Sequence, residues 1–214
     1  MLLINFKAYD LATGDAAVEL AKKCENVANE TGKKIALVVQ AVDIQKVSQA
    51  VSLEVWAQHV DEVEQGAKTG HITIESVKAA GAKGTILNHS ENRILRSKIE
   101  AVVKRCKELG FPVLVCAQNA EEVGEIAALA PDFVAYEPPE LIGGDISVAT
   151  AKPEVIEDSL QAAGSVPLIV GAGVKNSTDV KVSVELGAQG ILVASGVVKA
   201  DDVEAAVKDL VEYL

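Results

Sequence analysis

Short apolar runs alternate with longer amphipathic stretches along the whole chain. The runs are Leu2–Phe6, Ile35–Val39, Leu53–Ala57, Gly84–Leu87, Pro112–Cys116, Phe133–Tyr136, Pro167–Val170 and Gly190–Val193, eight in all. They lack strict polar alternation, which predicts strands buried on both faces, and Gly and Pro punctuate their ends. Between them, Asp15–Glu30 sets Val18, Ala21, Cys24, Val27 and Ala28 on one helical stripe. Glu91–Leu109 does the same with Ile99, Val102, Val103, Cys106 and Leu109, and Gly110 and Pro112 then supply a stop. Further helices are predicted over Val42–Ala50, Ile74–Ala80, Ala120–Ala128, Pro153–Ala163, Ser177–Leu186 and Asp201–Tyr213. Eight units in 214 residues leave about 27 residues for each, short but sufficient for a strand and a helix. Strict alternation of strand and helix predicts a parallel sheet with right-handed crossovers. Eight units favour closure into one (β/α)8 barrel over residues 1–214, because closure removes the edge strands.

Composition narrows the picture. Hydrophobic residues make up 49% of the chain but aromatics only 3%, so the core must be built from aliphatic side chains. A formal net charge of −11 disfavours nucleic acid and anionic membranes as partners. It leaves a small anionic substrate open, since a local site can be positive inside a negative protein. Cys24, Cys106 and Cys116 are odd in number and widely spaced, without a C-x-x-C pair. They read as reduced thiols of a cytoplasmic protein. Cys116 sits at a strand end, where it is either a small buried hydrophobe or a reactive thiol. Met1–Tyr9 carries no basic leader, and no apolar run approaches the roughly 20 residues that span a bilayer.

In a barrel of this kind the active site lies at the C-terminal ends of the strands. That rule selects Asn5-Phe6-Lys7 after strand one and Asn88-His89-Ser90-Glu91 after strand four. It also selects Tyr136-Glu137-Pro138-Pro139-Glu140-Leu141-Ile142-Gly143-Gly144 after strand six. Glu137 leaves a buried strand into two prolines, a stiff hinge, and Gly143-Gly144 supplies a flexible far end. That is the layout of a lid loop, although a surface glutamate in a long loop has the same letters. Ser90 is a candidate N-cap for the helix that follows. His89 would then face the positive end of a helix, which disfavours a second positive charge on its ring. Lys7 is a cation suited to stabilising negative charge on a substrate oxygen, to forming a Schiff base, or to a rim ion pair with Glu91. Asn5 would orient its neighbours from inside the mouth.

Gly171-Ala172-Gly173 follows strand seven and Ala194-Ser195-Gly196 follows strand eight. Glycine lets backbone amides approach an anion closely, and these two loops form the common phosphate site of the fold. A short helix starting at Ser195 would aim further N–H groups at the phosphate.

The set Asn5-Phe6-Lys7, Asn88-His89-Ser90-Glu91, Tyr136-Glu137-Pro138 and Ile142-Gly143, in this order and spacing, resembles the triosephosphate isomerase family over essentially the whole chain. The short length and the Pro138-Pro139-Glu140-Leu141 lid resemble its compact archaeal branch. The resemblance implies a TIM barrel, an aldose–ketose isomerase, and a triose phosphate substrate. It implies Glu137 as catalytic base, His89 as electrophile, and Lys7, Asn5 and Phe6 as substrate contacts. Ile142, Gly143, Gly173, Ala194 and Ser195 would grip the phosphate. No cofactor or metal is implied. Gly66-Ala67-Lys68-Thr69-Gly70 resembles the family's third loop, which implies a dimer or tetramer with Thr69 reaching a neighbouring subunit. The chain departs from the family at Pro139-Glu140, where a Trp is common, at Ala172, where a Ser is common, and at Phe6, where Trp is also common. Two other readings stay open: a Schiff-base aldolase using Lys7, and a barrel without catalysis serving as a scaffold.

Overall fold

A computed structural model describes residues 1–138, 153–172 and 174–214. Eight strands form one parallel barrel, closed in the order of the chain by pairing of the first strand with the last. They are β1 (Leu2–Asn5), β2 (Ile35–Val39), β3 (Glu54–Ala57), β4 (Gly84–Leu87), β5 (Val113–Ala117), β6 (Phe133–Tyr136), β7 (Leu168–Val170) and β8 (Gly190–Val193). Each coincides with one of the apolar runs to within a residue at either end. Around them lie α1 (Asp15–Thr31), α2 (Ile44–Ala50), α3 (Ile74–Ala79), α4 (Arg96–Leu109), α5 (Ala120–Ala127), α6 (Pro153–Ala163), α7 (Ser177–Leu186), the one-turn α8 (Ser195–Val198) and α9 (Val203–Val211). The fold is therefore a (β/α)8 TIM barrel.

The period of two in each strand divides the core into two. Leu3, Ala36, Val38, Trp56, Ile86, Leu114, Cys116, Ala135, Ile169 and Leu192 form one cluster inside the barrel. Their neighbours in sequence, such as Leu2, Ile4, Leu37, Val39, Val113 and Val115, belong to the larger cluster between sheet and helices. Both faces of the strands are thus dry, which is why the sequence shows continuous apolar runs and not alternation. Trp56 fills the lumen only because Gly84 opposite it has no side chain: a Cβ there would lie 2.7 Å from the indole.

The helices follow the predicted stripes with one correction. On α1, Ala21, Cys24, Val27 and Ala28 are buried as expected, joined by Ala17 and Leu20, while Val18 lies at the flank. Gly110 ends α4 in the left-handed conformation at φ 56°, its N–H on the carbonyls of Cys106 and Lys107. The start of α4 differs from expectation. The helix begins at Arg96 and not at Glu91, and Ser90 caps nothing; its buried Oγ has no hydrogen-bond partner among the described residues. The cause is local. The Asn88 carboxamide accepts the N–H of Ile94 (3.1 Å) and the His89 carbonyl accepts that of Asn92 (2.8 Å), which folds residues 88–94 into a closed loop before the helix starts. No helix among the described residues is long and apolar enough to cross a membrane.

Candidate active site

The strand ends bring Asn5, Lys7, Gln58, His59, His89 and Glu91 around one cavity of about 180 Å³ at the C-terminal mouth of the barrel. Lys7 follows β1 in the left-handed region, at φ 50°. That conformation costs a non-glycine residue about 1–2 kcal/mol, so the surroundings must hold it. Asn5, buried at the end of β1, accepts the Lys7 N–H on its Oδ1 (2.9 Å). Gln58, the first residue after β3, donates to the Lys7 carbonyl (2.9 Å) and to Asn5 Oδ1 (3.3 Å). The ammonium then reaches Glu91 Oε1 at 2.6 Å, the rim ion pair the sequence suggested. Phe6 takes no part in the mouth: it is wholly buried in the layer between sheet and helices.

His89 follows β4 and is almost completely buried. The Glu91 N–H donates to its Nδ1 (3.2 Å), so in the neutral imidazole the ring hydrogen sits on Nε2. The helix end invoked from the sequence is not there, since α4 begins five residues further on than expected; a backbone amide in the closed loop orients the ring instead. Nε2 faces Glu137 Oε1 at 3.4 Å. Glu137 leaves β6 with its N–H on the Ala117 carbonyl (2.8 Å), and only 4% of it is exposed. Its Oε2 is buried and has no hydrogen-bond partner among the described residues. An acceptor shielded from water and left unpaired in this way is costly, and is a common mark of a group kept ready for chemistry.

Space for that carboxylate comes from β7. A Cβ on Gly171 would lie 2.7 Å from Glu137 Cγ and 3.0 Å from Oε1. Gly171, read from the sequence as part of a phosphate loop, is here the wall behind the carboxylate. Cys116 lies beside the same group from inside the barrel. Burial, and then the nearby Glu137 carboxylate, push its thiol well above the usual range, which makes it the small inert hydrophobe of the two readings. Ala194 and the exposed Ser195 stand where β8 passes into α8, and the helix ladder opens with the N–H groups of Val197 and Val198 on the Ala194 carbonyl. Ile142, Gly143 and the rest of the expected lid beyond Pro138, together with Gly173, lie outside the described residues. Thr69 is exposed at the tip of a loop closed at its base by the Asp61 N–H on the Ile72 carbonyl (2.8 Å) and the Ile72 N–H on Asp61 Oδ2 (2.6 Å).

Two members of the cavity carry no motif in the sequence. Gln58 and His59 follow β3 directly, so their position at a strand end is the one signal that marks them. His59 Nε2 lies 3.4 Å from Asp61 Oδ1. Among the described residues no group of three or more His, Cys, Asp or Glu is arranged to hold a metal ion.

Known proteins match this sequence over nearly their whole length. The sequence profile of the family described as triosephosphate isomerase matches residues 1–212. The triosephosphate isomerase of Methanocaldococcus jannaschii is 43% identical over 218 residues, covering 100% of both chains. Those of Methanothermus fervidus and Archaeoglobus fulgidus are each 45% identical, covering 99% and 100% of this chain and 97% and 98% of their own. Matches of this extent show that the chain belongs to the triosephosphate isomerase family, in its compact archaeal branch.

Proposed function

We propose that the protein interconverts D-glyceraldehyde 3-phosphate and dihydroxyacetone phosphate through an enediolate. The observation that carries this reading is the buried Glu137 carboxylate, with one oxygen that has no partner among the described residues and the other 3.4 Å from His89 Nε2. Glu137 takes a proton from the carbon beside the carbonyl. The electron pair moves onto the carbonyl oxygen, where the His89 Nε2–H and the Lys7 ammonium stabilise it. His89 moves a proton between the two enediolate oxygens, and Glu137 returns its proton to the adjacent carbon. The atoms balance without a cofactor. Lys7 exchanges its Glu91 partner for substrate in this scheme; Asn5 and Gln58 hold its backbone.

The phosphate is gripped by Ile142, Gly143, Gly173, Ala194 and Ser195, with closure of the segment after Pro138 excluding water. Support on the described side is the place of Ala194 and Ser195 at the end of β8. A second copy of the chain receives the exposed Thr69 loop, which makes a dimer the smallest working unit. We assign the reaction to the cytoplasm, on the reduced thiols. Replacing Glu137 by Gln tests the central claim. Turnover in both directions is expected to fall by about 10³-fold or more, as for loss of a general base; unchanged turnover would remove Glu137 from the role.

A further inference from the structure

A second carboxylate governs the placement of His89 from outside the cavity. Asn88 links the last residue of β4 to His89 and is itself left-handed, at φ 60°. It is wholly buried, and its side chain is held at both ends: Oδ1 accepts the Ile94 N–H (3.1 Å), and Nδ2 donates to the Cys116 carbonyl (2.9 Å) and to Glu122 Oε1 (3.3 Å). Glu122 projects from the first turn of α5. Its other oxygen accepts the Gln118 N–H at 2.8 Å, directly after β5. The Oε1 that meets Asn88 also pairs with the Arg93 guanidinium.

Glu122 therefore grips the His89 loop on both sides, through Asn88 before the histidine and Arg93 after it, and ties it to the end of β5. The side chain is only 18% exposed, so its bonds to cationic and amide donors are shielded from water and stronger than surface contacts. The loop contains its own orienting bond, from the Glu91 N–H to His89 Nδ1. A shift of the loop thus carries the ring and its Nε2–H away from Glu137 as one piece.

We propose that Glu122 is a positioning residue for the isomerisation. It touches no reacting atom, and acts through Asn88 and Arg93 to hold His89 at its distance from Glu137. The inference rests on the reading of His89 as the electrophile. Misplacement by about 1 Å costs near 10²-fold in rate, so partial release should cost about 10-fold or more.

The test compares Glu122→Gln, which keeps size and the bond to the Gln118 N–H but loses the ion pair, with Arg93→Gln, which cuts the same pair from its outer end. Should the first fail to fold, the second carries the test. The expected result is a kcat lowered about 10-fold, with KM within about twofold, because the phosphate grip is untouched. In a His89→Gln background, either change should add less than about twofold, since its effect runs through the missing ring. In ¹⁵N-histidine-labelled protein without substrate, the Nε2–H signal of His89 should shift or broaden. A lower melting temperature with kcat and the His89 signal unchanged would leave Glu122 only a tie between α5 and the end of β5 and overturn the proposal. If His89→Gln alone leaves turnover intact, the reading of His89 fails, while the labelled-histidine signal still decides whether Glu122 holds the ring.

Discussion

Gly171 and Glu137 occupy mutually exclusive space: a side chain of even one carbon on Gly171 would stand 2.7 Å from Glu137 Cγ and 3.0 Å from Oε1. The backbone of Gly171 is anchored by its N–H on the Tyr136 carbonyl (3.0 Å), so the strand does not yield and the carboxylate must. Gly171→Ala is expected to drive the carboxylate away from His89 and lower kcat by about 10²-fold, the scale of an ångström of misplacement. Steady-state rates together with a thermal melt distinguish this from unfolding. An Ala variant with full activity would mean that the carboxylate works from another position.

Gln58 keeps Lys7 in a backbone conformation it would otherwise leave. Gln58→Leu removes the donor to the Lys7 carbonyl and to Asn5 while retaining bulk. Each lost hydrogen bond is worth about 1 kcal/mol, comparable with the cost of the left-handed conformation it supports. Turnover is expected to fall about 10-fold, with stability to urea reduced by about 1–3 kcal/mol. Loss of stability without loss of turnover would show that Lys7 holds its place unaided.

Gly84 and Trp56 set the packing of the lumen. Ala at residue 84 would place a methyl 2.7–2.8 Å from three atoms of an indole that is itself 2% exposed. Overpacking of this kind costs about 1–3 kcal/mol. Urea unfolding of Gly84→Ala should show that loss, while kcat stays near that of the unaltered chain because the clash lies below the mouth.

Asp61 gives the loop before α3 a dependence on pH. Burial alone would raise its carboxyl pKa; the Ile72 N–H, and then His59, outweigh this and hold it below the usual value. A lowered folded value means that the stabilisation is complete above the unfolded pKa of about 3.9 and is lost as pH falls through the folded one. Asp61→Asn should therefore melt lower than the unaltered chain at neutral pH. The gap should close on acidification below about pH 4. A gap that persists in acid would place the effect in packing and not in charge.

The cysteines should be silent toward thiol reagents. Burial pushes Cys24 and Cys106 up to about 12 and Cys116 well above the usual thiol range, all three within the closed core. Alkylation of the native protein near pH 8, where an ordinary thiol is partly ionised, should add no mass. All three sites should label once the chain is unfolded in guanidinium chloride.

The sequence by itself determined the barrel and most of the residues that gather at its C-terminal mouth. Eight apolar runs cannot be solvated on either face, and a closed parallel sheet under helices is the arrangement that dries both. The strand-end rule then located Lys7, His89 and Glu137, because in this fold every such residue must emerge at one rim. What the letters could not show were relations between distant positions. Glu91 to Leu95 reads as the start of a helix; a loop stands there because the Asn88 side chain closes it and reaches across to β5 and Glu122. Gly171 is one of 16 glycines, and its purpose is visible only once β7 lies beside β6 and Glu137 fills the gap. Gln58 and Glu122 belong to no motif, since what they hold is a backbone carbonyl 51 residues away and a side-chain amide 34 residues away. Local pattern is written in neighbouring residues, which is why strands and rim were legible. The orientation of each side chain at the rim is set by contacts that close only when the barrel does, and tertiary structure alone decided those.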